Sequence, residues 1–408
     1  MTSNTKRHSS PRRPLPMGIW ALGFVSLFMD ISSELIHSLL PVFMATTLGA
    51  SMIAIGFIEG VAEAAAAFAK VFAGAASDLI RKRKSLAVLG YGLAAITKPI
   101  FPLANTIGWV VTARLIDRIG KGIRGAPRDA LVADIAPADM RGAAYGLRQT
   151  LDSIGAFVGP VLAVAFMLCF GDDIRKVLWV AVIPAFLAVG ILIVGVQEPE
   201  RPPIGGETVK SPLWFRWAKQ LPRLYWLIVG LYTVFTLARF SEAFLILRAQ
   251  SVGLSIGYVP LIMIVMNIVY AAVAYPAGLL TDRIQSRIIL IAGLSVLILS
   301  DVILGSASTP LAVFAGAALW GLHMGLTQGL FSKLVADHAP VSLRGTAFGI
   351  FNLAGGAATL SASALAGILW SLLGASATFF TGAAFTFAAM TGLIIYGFLY
   401  PADKKPAP

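Results

Sequence analysis

Apolar stretches of about twenty residues recur along the whole chain, separated by short breaks rich in glycine, proline and charge. A helix of that length crosses roughly 30 Å of hydrocarbon. The pattern predicts twelve such helices, over 18–45, 51–76, 86–104, 107–133, 143–169, 178–196, 225–248, 257–280, 288–306, 311–335, 346–370 and 376–400. No run of alternating ten-residue strands appears, and unpaired backbone groups in lipid cost several kcal/mol each, so helices rather than a barrel are expected. The fourth stretch is unusually charged for a membrane helix.

Composition agrees with that pattern. The 408 residues are 57% hydrophobic and 13% charged, against about 45–50% and 25% in soluble domains, and the mean hydropathy is +0.81. The first 16 residues, MTSNTKRHSSPRRPLP, are basic and proline-rich without a short apolar core, which predicts a cytoplasmic tail rather than a cleaved signal. Basic residues then fall in alternate loops: Arg81–Lys84, Arg141, the stretch Lys210–Arg223, Arg283, Arg287, Arg344 and Lys404–Lys405. Positive loops stay in the cytoplasm, so both termini are expected there, in a bacterial inner membrane. This bias accounts for the net charge of +12 without invoking nucleic acid. The one cysteine, Cys169, excludes an intrachain disulfide and a cysteine-based metal cluster.

The second half repeats the first. LVADIAPADMRGAAYG, Leu131–Gly146, and LVADHAPVSLRGTAFG, Leu334–Gly349, share ten of sixteen residues in register. Gly74 and Asp78 followed by Arg81 and Arg83 reappear as Gly278, Asp282 and Arg283, and FMDISSELI matches FTLARFSEAFLI. The longest polar connection lies between the copies. The expected organisation is a tail at 1–16, a six-helix half at 17–196, a central cytoplasmic loop at 197–224, a second half at 225–400 and a tail at 401–408. Two parallel halves of six helices describe an all-α transporter that rocks about a site near the bilayer midplane.

On these motifs the chain resembles the major facilitator superfamily over essentially its full length, in a prokaryotic branch with mostly unassigned substrates. Gly74-x-x-x-Asp78 with the following basic run resembles the superfamily's loop motif between helices two and three, with Leu79 where a basic residue is common. RIGKG at Arg118–Gly122 resembles the helix-four motif whose arginine is associated with proton coupling, with Lys121 in place of glutamine. GAFVGP at Gly155–Pro160 resembles the helix-five antiporter motif, although Ala163-Val164 stands where that motif has a glycine pair. The resemblance implies a twelve-helix secondary transporter powered by a proton gradient, with no bound cofactor. Physically, Asp78 and Asp282 beside their basic neighbours can latch the cytoplasmic side shut. Gly155, Gly159 and Pro160 give a close helix seam or bend.

Charge inside the apolar stretches supplies the candidate chemistry. At about 100° per residue, Asp30, Glu34 and His37 share one face of the first helix, within about 60° of one another. Glu59, Glu63 and Lys70 share a face of the second, and Arg114, Arg118 and Lys121 a face of the fourth, beside Asp117. Charges there cost a few kcal/mol each even on lenient scales, so they must face partners or a water-filled cavity. Acids of helices one and two are expected to meet bases of helix four, as coupling groups or as static pairs that orient helices.

A proton-coupled carrier needs a carboxyl that a base can discharge, and Asp30, Glu34, Glu59 and Glu63 with Arg118 are the candidates. His37, Lys70, Arg114, Lys121, Arg124, Arg239, Glu242, Asn267 and His323 are candidates for solute contact. Gly120-x-Gly122-x-x-Gly125 matches a dinucleotide fingerprint but lies inside a membrane helix, not after a strand. Gly253-x-Ser255-x-Gly257 matches a nucleophile elbow but has no triad partners. An enzyme is therefore not expected, nor a metal site. The expected function is proton-coupled movement of a small organic solute by a monomer in the bilayer, with efflux by antiport preferred. Uptake of an organic anion or metal chelate, and a ligand sensor without transport, are the alternatives.

Overall fold

The computed structural model describes residues 14–80, 82–198, 220–327, 330–340 and 343–399. The described residues are helical throughout, without strands. We number the segments α1 (Met17–Val42, continuing as a π-helical turn, Phe43–Thr47), α2 (Met52–Ile80), α3 (Arg83–Thr97), α4 (Ile107–Ile135), α5 (Arg141–Cys169) and α6 (Ile174–Val180 and Val182–Gly195). The second half follows as α7 (Arg223–Leu237 and Ala243–Ser251), α8 (Leu261–Arg283), α9 (Ser286–Ser306), α10 (Pro310–Thr327 and Leu330–His338), α11 (Arg344–Leu373) and α12 (Ala375–Leu399). A short turn, Ile100–Leu103, extends α3.

Among the described residues, ten of these stretches are long and apolar enough to cross a membrane. The other two are α4 and α7. Helix α4 carries several charged side chains along its length, and α7 is interrupted at 238–242, leaving an apolar helix of 15 residues, Arg223–Leu237. Predicted and observed ends differ by a few residues. Helix α3 stops at Thr97, before the short turn that carries it to Leu103, and α6 starts early, at Ile174, because Asp173 caps it by accepting the Lys176 backbone N–H.

The chain crosses from one face to the other with each segment, so the starts of α1, α3 and α5 share a face with Arg223, the start of α7. We call it the terminal face. Within each half, helices approach through small residues. An added Cβ at Gly155 would stand 2.6 Å from the Leu27 carbonyl oxygen, and one at Gly159 would stand 2.8 Å from that of Ile31, so α5 lies directly on α1. Gly90 on α3 meets the Gly120 carbonyl and the Arg124 backbone of α4 in the same way.

The two halves touch mainly away from the terminal face. There Gly56 and Gly60 of α2 press on the Ser363 and Leu360 carbonyls of α11, and Gly367 presses on the Met52 carbonyl. Gly257, in the turn before α8, packs against the Asp172 carboxylate at the end of α5. Nearer the terminal face the same pair of helices is looser, and the nearest neighbour of a Cβ on Gly349 is a Val71 methyl at 4.0 Å. Among the described residues, the closest backbone contacts between the halves are thus at the far face, and they loosen toward the terminal one.

Part of the sequence-predicted latch lies outside this description. Arg81 is not among the described residues, nor are the surroundings of Gly74 or the side chains of Asp78, Asp282 and Arg283. Gly278 lies exposed on α8. Arg83 is described: its guanidinium pairs with Asp134 on α4 at 2.6 Å, and its backbone N–H donates to Glu198 at 2.6 Å. That contact joins α3, α4 and the end of α6 within one half.

Candidate functional site

A cavity of about 760 Å³ lies between the halves. The first half lines it from α1, α2, α4 and α5, and the second from α7, α8, α10 and α11. It holds the polar side chains that the apolar pattern could not place in lipid.

Helix α4 organises the first half through a ladder of ion pairs. Arg114 donates to Glu59 at 2.7 Å, both fully buried. One turn on, Arg118 Nη1 lies 3.3 Å from Glu63, whose side chain is 37% exposed toward the cavity. Lys98 of α3 donates to Asp117 at 2.8 Å and to the Ser33 hydroxyl at 3.1 Å, while Arg118 Nε lies 3.5 Å from the same Asp117. Arg124 reaches Asp30 on α1 at 3.8 Å and rests on the Tyr91 ring, 4.6 Å from its centroid. Acids of α1 and α2 thus face bases of α4 in three successive layers, with Asp117 and Lys98 bracing the back.

Toward the terminal face a second cluster closes the row. Arg148 donates to Asp152 at 2.6 Å and approaches Asp129 at 3.7 Å, while Arg128 approaches Asp152 at 3.9 Å and donates to the Ser26 hydroxyl at 3.2 Å. Sequence reading missed this cluster, although Arg148 and Asp152 carry a visible i,i+4 signal.

Deeper in the cavity stand Glu34 and His37, one turn apart, with His37 Nδ1 3.5 Å from the Glu34 carboxylate. Gly159 and Pro160 back this stretch of α1, since a Cβ on Gly159 would touch Glu34 Cβ at 2.9 Å. The predicted helix-five seam therefore lies directly behind Asp30 and Glu34.

The second half answers through the break in α7. The Ser241 backbone N–H donates to Ser363 on α11 at 3.1 Å, and the Ala243 N–H to the Ser241 hydroxyl at 3.3 Å. These bonds hold 238–242 out of helical register and turn Arg239 and Glu242 into the cavity. Glu242 lies within electrostatic reach of Glu34, His37 and Glu63 across the interface. The FMDISSELI match aligns Glu34 with Glu242, so the duplicated segments bring two related carboxyls to one cavity from opposite sides.

The remaining predicted residues separate into two groups. Lys70, Lys121, Arg124, Arg239 and Asn267 line the cavity. Arg114 and Glu59 do not, because they pair with each other behind it. His323 does not either: its Nδ1 sits 3.2 Å from the Gly293 carbonyl and its ring lies edge-on to Phe235 at 5.6 Å. Two aligned contacts explain this. Gly90 meets Gly120 and Arg124, and at the offset that relates Leu131 to Leu334, Gly293 meets His323 and Thr327. His323 therefore occupies the α9–α10 seam, where the first half has glycine.

That same offset carries Lys98 onto Asp301, Asp117 onto Trp320, Arg118 onto Gly321 and Lys121 onto Met324. The charged helix of the first half becomes apolar and aromatic in the second, so Trp320, Tyr232, Phe240 and Tyr270 form the facing wall. Asp301 is left fully buried, with neither carboxyl oxygen bonded among the described residues.

Comparison with known proteins meets this architecture at the level of sequence and of fold. A sequence profile of the Major Facilitator Superfamily matches residues 22–247 and 240–408. An uncharacterized MFS-type transporter of Methanocaldococcus jannaschii is 30% identical over 405 residues, covering 96% of this chain and 97% of the relative. An uncharacterized protein of Mycobacterium tuberculosis is 27% identical over 365 residues, 87% of each chain. Among solved structures, the nucleoside transporter NupG superposes with a TM-score of 0.73 at 13% identity, over 94% of this chain and 99% of that one. A peptide transporter, POT, in complex with sulfate gives 0.77 at 15% identity, over 95% and 96%. The human organic anion transporter MFSD10 gives 0.63 at 17%, over 94% and 100%. With its duplicated helical halves enclosing a polar cavity inside an apolar shell, and with that profile spanning both of them, the chain belongs to the Major Facilitator Superfamily and is a membrane transporter, not an enzyme.

Proposed function

We propose that the protein is a proton-coupled antiporter that exports a small organic solute across the bacterial inner membrane, with both termini in the cytoplasm. It works as a monomer, by alternating access, with the proton gradient in place of a cofactor. The observation that carries this reading is the meeting of Glu34 with His37 from α1 and Glu242 from α7 in one cavity, beside the fixed cations Arg118 and Lys121.

A carboxyl in such a cavity cannot be enclosed uncompensated as the halves rock past the closed state, because an isolated charge in a low-dielectric environment costs several kcal/mol. It is compensated either by a proton or by a bound solute. The empty carrier then reorients with protons on its acids, and the loaded carrier with solute in their place. Arg118, fixed between Glu63 and Asp117, supplies the positive field that helps discharge a neighbouring acid.

The test is solute flux in proteoliposomes of known orientation, with and without an imposed proton gradient, for the native chain, Glu34→Gln and Arg118→Ala. Gradient-driven accumulation is expected to vanish in both variants, while Glu34→Gln still exchanges labelled for unlabelled solute at saturating concentration. Accumulation that persists in both would make these residues static pairs and remove the coupling role.

Uptake of an organic anion is the second reading. It is favoured by Lys70, Lys121 and Arg239, cavity cations that form no ion pair among the described residues. The direction in which solute accumulates separates the two.

A further inference from the structure

Most charges along the cavity neutralise one another within the protein. Arg118 takes Glu63, Arg124 takes Asp30, and Arg128 shares Asp152 and Asp129 with Arg148. Lys70, Lys121 and Arg239 remain as cations and Glu34 and Glu242 as acids, all lining the cavity, with only the Glu34–His37 contact among them.

These residual charges are of both signs. Arg239 has a buried Nε with no acceptor, its guanidinium lying 5.8 Å from the centre of the Phe235 ring. An orphaned guanidinium N–H leaves a donor unsatisfied, which an acidic oxygen from a ligand can relieve. Glu34 and Glu242 stand within reach of each other's charge across the interface, and two neighbouring carboxylates repel unless a positive group lies between them. The wall beside Glu242 is aromatic: Phe240 and Trp320 ring centres lie 5.5 Å apart, and Trp320 Nε1 also lacks an acceptor. Asn267, Asn352 and Thr359 provide neutral hydrogen-bonding groups on the same side.

Resting on the reading of this cavity as the transport site, we propose that the solute is a zwitterion with an aromatic or flat apolar body. Its ammonium group sits between Glu34 and Glu242, and its carboxylate or phosphonate group takes Arg239 and Lys121. The body packs on Phe240 and Trp320. An ammonium between the acids occupies the place of the transported proton, which makes solute and proton mutually exclusive and gives exchange without any additional device.

The experiment uses the purified full chain in detergent and a panel of aromatic amino acids and aminoalkyl aryl phosphonates. Each is paired with its analogue lacking the amine and its analogue lacking the acid, and affinity is read by calorimetry and thermal shift. Zwitterions are expected to bind at least tenfold more tightly than either single-charge analogue. Glu242→Gln should weaken the zwitterion and the amine-only analogue while sparing the acid-only one, and Arg239→Gln should do the reverse. Single-charge probes that bind as tightly as their zwitterions, or a panel in which no zwitterion binds, would overturn the proposed class. Flux in proteoliposomes is measured in parallel. A zwitterion that binds and is not moved upholds this class and removes the transport reading. Gradient-driven flux confined to single-charge solutes does the opposite.

Discussion

Glu59 of α2 and Arg114 of α4 form a 2.7 Å ion pair from which solvent is excluded, and one turn along the same two helices Glu63 and Arg118 repeat the contact with Glu63 open to the cavity. One pair is sealed and the next is wet. Removing one member of a sealed pair leaves the other charge buried alone, which costs about 3–5 kcal/mol. Glu59→Gln is therefore expected to lower the melting temperature in detergent clearly more than Glu63→Gln, and Glu59→Leu combined with Arg114→Leu should recover most of the loss. Equal melting temperatures for the two single variants would contradict this.

The far-face seal depends on backbone contact between α2 and α11, where Gly56 meets the Ser363 carbonyl and Gly367 that of Met52. A side chain cannot enter without parting the helices. Gly367→Val should displace the resting population toward the state open at that face. The measurement is modification of Thr359→Cys, in a Cys169→Ser background, by a membrane-impermeant maleimide added from the far side. Labelling is expected to quicken severalfold in the valine variant, and an unchanged rate would show that the seal lies elsewhere.

Asp301 is buried with no donor or cation among the described residues. A neutral amide of the same shape cannot ionise, so it removes the cost of placing an unpaired carboxylate in an apolar interior or of protonating it at neutral pH. Asp301→Asn should raise the melting temperature and leave solute exchange intact. A destabilised Asn variant would mean that the carboxyl has a partner it requires.

At the head of α6, Asp173 accepts the Lys176 backbone N–H at 3.2 Å, and its carboxylate meets Lys176 Nζ at 3.1 Å. The hydrogen bond to Lys176 holds its carboxyl below the ordinary aspartate value of 3.8. A depressed acid stabilises the folded state fully above that ordinary value, and the contribution is lost as pH falls through the lower folded one. Asp173→Ala should cost about 0.5–1 kcal/mol at neutral pH and show a smaller loss of stability on acidification than the native chain. Identical acid sensitivity of the two would show that the cap contributes nothing.

The helical segments were legible in the sequence because each has to be apolar for about twenty residues. Helix α4 shows where that reading runs thin: it carries charges along most of its length, and its partners on α1, α2 and α3 are what let those charges lie inside a membrane. The charged faces of α1, α2 and α4 could be read because 3.6-residue periodicity fixes which residues share a side. Periodicity is silent about which face meets the cavity and which is sealed, so Arg114 and Arg118, four residues apart, ended in different environments. Lys98 had no stripe to announce it, since it stands just past the end of α3, about four turns from Arg83 and Lys84 at that helix's start. The break in α7 left no proline or glycine signal, because it is held open by Ser363, more than a hundred residues away. His323 was misplaced for a related reason: only the packing of α9 on α10 shows that it fills a seam.

The seam at Gly90 and its counterpart at Gly293 has a wider meaning. Two copies of one scaffold kept the same backbone fit between their third and fourth helices while the side chains around it diverged, lysine to aspartate, aspartate to tryptophan, arginine to glycine. Shape was inherited and chemistry was not. A designer could accordingly recarve the aromatic wall of the second copy, trading bulk at Trp320 or Met324, while every salt bridge of the first copy stays where it is.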